Sequence, residues 1–437
     1  MAILRPLCGL RYNTKKVPIS DVIAPPYDVI SEVEQDELYH RNAYNVVRLI
    51  LGKLYPSDDE SHNRYTRARQ FFEEWIRKEV LIKDDLPSFY LYEQSFLDPV
   101  SRKRKVRRAL FALLQLENFG RGIVFPHERT YSKPKADRLH LLNSTHANLS
   151  PVFGLYADNK KKVKKILSSH FSKPPLFQAR DGEGVTHRFW KVSGTEDIQK
   201  IILAFQAKKI VLADGHHRYE TALNHLAQRE KELSKNSGLA KNTVLPCKFV
   251  LISLVDSKDP GLIVLPTHRL LKKPKGFSAD VFLEKLSHYF DLVKVRRETL
   301  PLHLNRLSKL QKGFGISLGR GQSYFAKLKS LGTIKMTRPR GKSSVWAKLE
   351  VSILSYLIFE KILGLREEQF QDALAYTRSE KEAFAKVDKS EFAVAFLLRS
   401  IPVSQIQSVC ERNDLLPHKS TYFYPKLASG LVFYQHN

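Results

Sequence analysis

The chain has few cysteines and no long apolar segment. Its 437 residues include only three cysteines, Cys8, Cys247 and Cys410, which lie far apart. Widely spaced cysteines in an odd number form neither a disulfide framework nor a zinc-ligand pattern, and they are typical of a reducing compartment. The longest apolar run, near residues 109–116, is too short to cross a bilayer. We therefore expect a cytoplasmic protein that does not enter a membrane.

Acidic residues are scarce relative to basic ones. The sequence has 72 Lys and Arg residues against 45 Asp and Glu residues, which gives a formal net charge of +27. Such an excess attracts polyanions and phosphorylated metabolites alike. The densest basic clusters, residues 102–108 and 160–165, are not interleaved with aromatic side chains, and no helix-turn-helix, zinc-finger or RNA-binding signature accompanies them. Nucleic-acid binding therefore stays open but is not favoured.

The most informative stretch is residues 208–226, with the sequence KKIVLADGHHRYETALNHL. Apolar residues of strand type at 210–212 predict a strand, and Asp214 with Gly215 predicts a turn. Apolar residues then recur at helical spacing from 219 to 226. The sequence therefore predicts a strand, a tight turn and a helix.

The first turn of this helix has the composition of a phosphate site. Helix N-terminal N–H groups lack intrahelical partners and attract anions. Gly215 lets a ligand approach the backbone, while His216, His217 and Arg218 add hydrogen-bond donors or positive charge. Asp214 can cap the helix, hold Mg²⁺ or accept a proton, and these roles stay open. The alternative is a capped helix whose histidines and arginine face solvent.

Strands and helices alternate along the middle of the chain. From residue 187 to residue 255 the predicted order is β-α-β-α-β, which puts the 214–218 turn at the carboxyl end of a strand, the usual place for ligands in α/β sheets. The composition changes after the polar segment 272–276, which predicts a boundary there. We predict an α/β protein with α+β elements and three regions: residues 1–158, residues 159–275 carrying the turn, and residues 276–437.

Three further motifs, at residues 126–130, 266–269 and 419–421, carry polar side chains suited to phosphate chemistry. Pro126 ends a strand, so the residues after it lie at a strand exit or on a loop. There Glu128 could serve as a general base or metal ligand and Arg129 as a phosphate clamp; a surface ion pair between them is the alternative. The other candidates for cofactor binding are His127, His268, Arg269, Lys419, Ser420 and Thr421.

Several of these strings resemble known families. The segment DGHHR at 214–218 resembles the phosphate-binding signature of the ParB/sulfiredoxin fold, which includes partition proteins that use CTP, sulfiredoxins that use ATP, and free-serine kinases. Nearly the whole chain is similar to the domain-of-unknown-function family 1015, through APPYDVI at 24–30, PHERT at 126–130, PTHR at 266–269 and KSTYFYPK at 419–426. Leu416 and His418 depart from the Met and Gln expected there.

The first resemblance implies a ParB/sulfiredoxin-like mixed-sheet core with added N- and C-terminal α/β regions. It also implies a nucleotide-dependent phosphotransferase that acts on serine, O-phosphoserine or a similar small phosphorylated metabolite, with ATP or ADP and Mg²⁺. Sulfiredoxin chemistry is not expected, because His216 stands where that motif carries its cysteine. The alternative function is that of a ParB-like nucleotide-binding or nucleic-acid-associated protein without metabolic turnover.

The candidate residues therefore divide by role. The catalytic candidates are Asp214, His216, His217 and Glu128, and Asp214 is also the metal candidate. The cofactor-binding candidates are Gly215, Arg218, His127, Arg129, His268, Arg269, Lys419, Ser420 and Thr421. We expect the distant motifs to lie within one ligand's span of the 214–218 turn.

Overall fold

The computed structural model describes residues 1–235, 244–319 and 321–436. They form two compact units. Unit 1 consists of Met1–Pro126, Thr130–Ile263 and Pro425–Asn437, and unit 2 of His127–Arg129 and Val264–Tyr424. The three predicted regions stay a prediction, but strands from the first two of them belong to one sheet of unit 1.

The strands in chain order are β1 Leu4–Arg5, β2 Leu10–Tyr12, β3 Leu81–Lys83, β4 Phe89–Leu97, β5 Arg104–Gln115, β6 Val124–Phe125, β7 Ala147–Asn148, β8 Val152–Tyr156, β9 Phe177–Arg180, β10 Thr186–Val192, β11 Ile210–Asp214, β12 Phe249–Asp256, β13 Ile263–Leu265, β14 His268–Leu271, β15 Phe290–Lys294, β16 Gly313–Ser317, β17 Ser323–Leu328, β18 Leu374–Thr377, β19 Val394–Leu397, β20 Tyr422–Tyr424 and β21 Tyr434–Gln435.

The α-helices are α1 Ile19–Val22, α2 Glu32–Arg41, α3 Val47–Ile50, α4 Arg64–Arg77, α5 Ser132–Thr145, α6 Lys162–Phe171, α7 Thr195–Phe205, α8 His216–Lys235, α9 Ala279–Ser287, α10 Leu300–Arg306, α11 Leu331–Thr337, α12 Ser344–Ala347, α13 Glu350–Ile353, α14 Phe370–Ala373, α15 Glu380–Asp388 and α16 Val403–Cys410. A π-helix, Leu354–Ile362, continues α13, and 3₁₀ turns lie at Pro246–Lys248, Arg297–Thr299 and Glu367–Gln369.

A nine-stranded mixed sheet is the main element of unit 1. Its order is β6-β11-β8-β12-β5-β4-β10-β9, with β1 added to β5. The pairs β6–β11 and β8–β12 are parallel, and the other neighbours are antiparallel. The predicted α/β class with a large mixed sheet is therefore confirmed.

The predicted β-α-β-α-β order is also present, as β10, α7, β11, α8 and β12. These three strands are not neighbours in the sheet, however. Strand β8 lies between β11 and β12, and strands β5 and β4 lie between β12 and β10. The β-α-β-α-β segment is therefore not a simple series of parallel crossovers. Periodicity along the chain predicts elements, but it does not say which strands pair.

The core of unit 1 explains why its central strands are continuous apolar runs. Leu110 of β5, Ile252 of β12 and Leu212 of β11 are fully buried. Ile201 and Phe205 of α7 are buried in the same cluster. Strands covered on both faces need apolar side chains in both directions, as these do.

Helix α8 is held against the sheet by the residues that predicted it. Tyr219, Ala222 and Leu226 are buried in the core of unit 1. The Tyr219 hydroxyl also donates to the carbonyl oxygen of Glu117 at 2.9 Å. These contacts hold the first half of α8, which follows β11 in the chain, against the core of unit 1.

Unit 2 contains a six-stranded antiparallel sheet in the order β15-β17-β16-β19-β14-β18. Phe314 and Phe396 are fully buried on its strands, and Phe282 of α9 and Phe359 of the π-helix contact the Phe396 ring. Within the described ranges of both units, no helix is long and apolar enough to cross a membrane.

Gly261 allows a close backbone approach in unit 1. A Cβ atom at this position would lie 2.2 Å from the carbonyl oxygen of Val106 and 2.6 Å from the nitrogen of Arg107. We expect Gly261→Ala to lower the free energy of unfolding by about 1–3 kcal/mol, because backbone must move to admit the methyl group. Urea unfolding measures this, with Gly182→Ala as control, since a Cβ there meets only Arg41 at 3.8 Å. Equal unfolding midpoints for the two variants would contradict the close approach.

Candidate functional site

The 214–218 turn has the predicted strand–turn–helix geometry. Strand β11 ends at Asp214, α8 begins at His216, and Gly215 between them has φ +82°. A Cβ atom at Gly215 would lie 3.0–3.1 Å from the guanidinium group of Arg218. Glycine is therefore required here twice, for its left-handed backbone and for the room it leaves to Arg218.

Arg218 faces a small cavity rather than open solvent. Its side chain is 16% exposed, and its Nη1 donates to the carbonyl oxygen of Pro151. Its Nε is buried and has no hydrogen-bond partner among the residues that the structure describes. The cavity has a volume of about 60 Å³, and its lining includes Tyr27, Arg138, Asn148, Ser150, Arg218 and Thr221.

A second arginine makes this cavity more positive. The guanidinium carbon of Arg138 lies 3.9 Å from the centroid of the Tyr27 ring, and Nη1 of Arg138 donates to the carbonyl oxygen of Ile50 at 2.7 Å. Two arginines and a helix N-terminus at one place favour an anion.

Asp214 is paired with a lysine from the far end of the chain. Its Oδ2 lies 2.5 Å from Nζ of Lys426, and its Oδ1 accepts a hydrogen bond from the Gly215 backbone at 2.6 Å. Burial by itself would raise the pKa of Asp214, but the positive charges of Lys426 and Arg218 outweigh burial and hold it far below its ordinary value. Asp214 is therefore a charged anchor and a weak base.

Asp28 has the opposite electrostatic environment. Loss of water around its carboxyl group raises the pKa, although the residue as a whole lies at the surface, and the negative charge of Asp214 raises it further. Lys426 and Arg218 oppose this rise without cancelling it. Two neighbouring carboxyl groups thus have pKa values shifted in opposite directions, a pattern found at acid–base sites.

The side chains around Asp214 do not fit the predicted Mg²⁺ site. Both carboxylate oxygens of Asp214 already have partners, Lys426 and the Gly215 backbone. Nowhere in the described part of the chain do three or more His, Cys, Asp or Glu side chains form a group that could hold a metal ion. The cation beside Asp214 is instead the ammonium group of Lys426.

The two histidines of the turn differ in their surroundings. His216 is 6% exposed and close enough to Asp214 to affect its pKa. Nε2 of His217 accepts a hydrogen bond from the Tyr131 backbone at 3.1 Å. A ring nitrogen that accepts a backbone N–H carries no proton. This bond ties the His217 ring to the Tyr131 backbone, and a catalytic role for His217 stays a prediction.

A second group of predicted residues comes together in unit 2. Nε2 of His127 lies 2.8 Å from Oγ1 of Thr421 and 3.5 Å from Oε1 of Glu128. Oγ1 of Thr421 lies 3.5 Å from the same Glu128 oxygen. The PHER and KST motifs, almost three hundred residues apart, thus form one polar cluster. His127 is 1% exposed, so the cluster is largely buried.

Arg269 is engaged with backbone rather than open to a ligand. Its guanidinium donates to the carbonyl oxygens of Thr267 at 2.5 Å and Lys419 at 3.3 Å. Burial lowers its pKa to about 10. Nζ of Lys419 lies 5.1 Å from the centroid of the Tyr376 ring, and Oγ of Ser420 donates to the carbonyl oxygen of Pro417. These interactions shape the 417–421 segment.

Arg129 forms an exposed ion pair, but not with the predicted partner. Its Nη1 lies 3.2 Å from Oε1 of Glu367, and both side chains are more than half exposed. The surface pair with Glu128, given above as the alternative, is replaced by a pair with Glu367, because Glu128 faces His127 and Thr421. A phosphate-clamping role for Arg129 stays a prediction.

Four residues near the turn are not among the candidates assigned a role from the sequence. Tyr27 and Asp28 lie in the APPYDVI string, whose two prolines stiffen the loop that presents them. Lys426 ends the KSTYFYPK string, and Arg138 follows the PHERT motif. Three of these residues lie in motifs that carry the family resemblance and the fourth lies close to one, but the sequence does not show which residues of the motifs face Asp214 or Arg218. The convergence of all predicted motifs on one ligand stays a prediction.

The chain belongs to a family of proteins of unknown function. The model of that family, described as "Protein of unknown function (DUF1015)", matches residues 4–352. No curated protein matches the chain.

Several solved structures are similar to the chain at low identity. A conserved hypothetical protein from Pyrococcus furiosus is 14% identical with a TM-score of 0.34, over 74% of this chain and 95% of that one. A mutant free serine kinase in complex with AMP is 12% identical with a TM-score of 0.36, over 74% and 92%. A truncated SbnI from Staphylococcus aureus is 9% identical with a TM-score of 0.32, over 70% and 82%. Likeness at these scores carries no argument about activity.

The Asp214–Lys426 pair can be tested by a double-mutant cycle. Both side chains are less than a fifth exposed, so Lys426→Met leaves a largely buried carboxylate without its nearest cation. We expect a loss on the order of 3 kcal/mol in the free energy of unfolding. The double variant Lys426→Met/Asp214→Asn should recover at least half of it, and Lys162→Met, at an exposed position, should cost little. Additive losses in the double variant would show that the two side chains do not interact.

His268 predicts a pH dependence of stability in unit 2. Nδ1 of His268 accepts a hydrogen bond from the Leu398 backbone at 3.3 Å, and its Nε2 is buried without a partner in the described ranges. Burial, followed by the charge of Arg269, lowers its pKa to about 4 from the ordinary 6.5.

Between those two pH values the unfolded chain binds a proton that the folded chain does not, so stability falls as the pH falls from 6.5 towards 4. His268→Asn keeps an acceptor for Leu398 but does not titrate. We expect the variant to lose less stability than the wild type between pH 7 and pH 4.5 in urea unfolding. Parallel pH profiles would rule out His268 as the titrating group.

Proposed function

We propose that the 214–218 turn binds the phosphate groups of ATP or ADP and that the chain is a phosphotransferase acting on serine, O-phosphoserine or a similar small phosphorylated metabolite. The observation that carries the proposal is the Arg218 side chain, whose buried Nε lacks a partner in the described residues and which lines a cavity beside the N-terminus of a 20-residue helix. Serine as the substrate rests on the resemblance of the DGHHR motif to free-serine kinases.

The charges around the turn suit phosphoryl transfer. This reaction needs positioning and stabilisation of negative charge more than covalent chemistry. Arg218 and the N-terminus of α8 would hold the phosphate oxygens, and Arg138 would add positive charge on the cavity side. Lys426, fixed by Asp214, would neutralise charge near the same place.

Asp28 is better suited than Asp214 to accept the proton of the substrate hydroxyl. A general base works best when its pKa is not far below the working pH. The pKa of Asp28 is raised and that of Asp214 is strongly lowered. In the proposed step the serine oxygen attacks the γ-phosphorus of ATP, its proton passes to Asp28, and ADP leaves. Asp214 then acts by positioning Lys426.

Nucleic-acid binding of the partition type is the competing function. The basic cluster at 102–108 is partly occupied within unit 1, because Arg107 is buried and Arg108 is paired with Glu93 at 2.9 Å. This leaves fewer open cations on that strand than the sequence suggested. The cluster therefore gives this alternative less support.

Three substitutions separate the proposed roles. Asp28→Asn should reduce turnover by about 10² or more and leave nucleotide affinity largely unchanged. Arg218→Ala should weaken both nucleotide binding and turnover. Asp214→Asn should reduce turnover less than Asp28→Asn, because it loses only the anchor of Lys426. Arg229→Ala, in an exposed ion pair with Glu232 further along α8, is the matched control and should change neither. ADP release with serine, ATP formation with O-phosphoserine, and calorimetry with ATP and ADP measure these effects.

Two results would count against the proposal. Absence of turnover in both directions, together with nucleotide binding that Arg218→Ala does not weaken, would exclude this site. Salt-dependent DNA binding that requires Arg218, with no turnover, would favour the partition-type function instead.

A further inference from the structure

Unit 1 has a second cavity at the opposite edge of its sheet from the 214–218 turn. The cavity has a volume of about 340 Å³ and is lined by Tyr156 and Asp256, the last residues of the parallel strands β8 and β12. Strand β11 runs antiparallel to β8, and Asp214 pairs with Phe153 near the start of β8. The two sites are therefore separated by the length of the strands, and the carboxyl ends of parallel strands are a common place for ligands.

The inner surface of this cavity is apolar. Leu110 of β5 and Leu254 of β12 form it on the sheet side, and Leu167 and Phe171 of α6 form it on the helix side. The positions of α6 that line the cavity are 164, 167, 168 and 171, which share one face of the helix. A cavity of this size is within the range of small-molecule sites.

Charged side chains of both signs lie around this apolar surface. Lys164 and Lys258 are positive, and Asp256 and Asp259 are negative. None of the four side chains makes an ion pair within the part of the chain that the structure describes. Arg108, also at the cavity, differs because it is paired with Glu93.

Three of the four groups are held in place by other hydrogen bonds. Oδ1 of Asp256 accepts the backbone N–H of Asp158 at 3.2 Å, and Oδ1 of Asp259 accepts that of Gly261 at 2.8 Å. Nζ of Lys258 donates to the Asn159 side chain at 2.9 Å. Burial raises the pKa of Asp259, so a ligand cation beside it would stabilise its charged form.

We propose that this cavity binds an α-amino acid with an apolar side chain. The carboxylate of the ligand would face Lys164 and Lys258, its ammonium group would face Asp256 and Asp259, and its side chain would pack on the surface formed by Leu110, Leu254 and Phe171. One zwitterion supplies the missing partner for charges of both signs, which an anion or a cation alone does not. This site goes beyond the proposed phosphotransferase activity and does not depend on it.

Calorimetry with the full chain, without nucleotide, tests the ligand class. L-leucine is the probe, N-acetyl-L-leucine lacks the ammonium charge, and L-leucinamide lacks the carboxylate charge. We expect binding of L-leucine and at least a tenfold loss of affinity for each analogue. No binding of L-leucine would overturn the proposal. Equal affinity for N-acetyl-L-leucine would also overturn it, since the site would then take simple carboxylates.

Matched substitutions on α6 test the place of binding. Lys164→Gln should weaken L-leucine binding tenfold or more, whereas Lys165→Gln, next to it and outside the lining, should not. Ser168→Phe should block the cavity, whereas Ser169→Phe should not. All four positions are exposed, so the variants should fold, which unchanged thermal unfolding without ligand would verify. The same affinity in Lys164→Gln and Lys165→Gln would refute the assignment, whatever the outcome of the turnover assays.

Discussion

Lys426 reaches Asp214 because a buried arginine holds the backbone around it. The guanidinium of Arg107 is 1% exposed and donates to the carbonyl oxygen of Pro425 at 2.5 Å and to Oε1 of Gln94 at 3.1 Å. Nε2 of Gln94 in turn donates to the carbonyl oxygen of Lys426 at 2.9 Å. Burial lowers the pKa of Arg107 to about 10, which reflects the cost of removing this charge from water.

This network ties three parts of unit 1 to one position. Strands β4 and β5 supply Gln94 and Arg107, and the 425–426 segment supplies two carbonyl oxygens. Such a network is stable only when all its polar groups are hydrogen-bonded together. The position of Lys426 is therefore set by its backbone as well as by its flexible side chain. The electrostatics of Asp214 and Asp28 follow from it, since the charge of Lys426 holds the pKa of Asp214 low and opposes, without cancelling, the rise in the pKa of Asp28.

How much the sequence could predict depended on distance along the chain. The turn at 214–218 was predictable because strand, glycine and helix signals follow one another within about twenty residues, and each is a local preference. The α/β class followed from the same alternation. The sheet order did not, because pairing β11 with β8 rather than with β12 depends on packing between distant segments. The partners of Asp214 and Arg129 were missed for the same reason, since Lys426 and Glu367 lie more than two hundred residues away.

The return of the chain to unit 1 after unit 2 has a consequence for its synthesis on the ribosome. Asp214 and Lys426 are separated by 212 positions, which take about 10–40 s to translate at roughly 5–20 residues per second. During that interval strand β11 and helix α8 can leave the ribosome, while the ammonium group that balances Asp214 does not yet exist. The nascent turn is then more negatively charged than the finished one, because Asp214 still lacks the positive charge of Lys426. The turn therefore reaches its final balance of charge only after residue 426 has been translated.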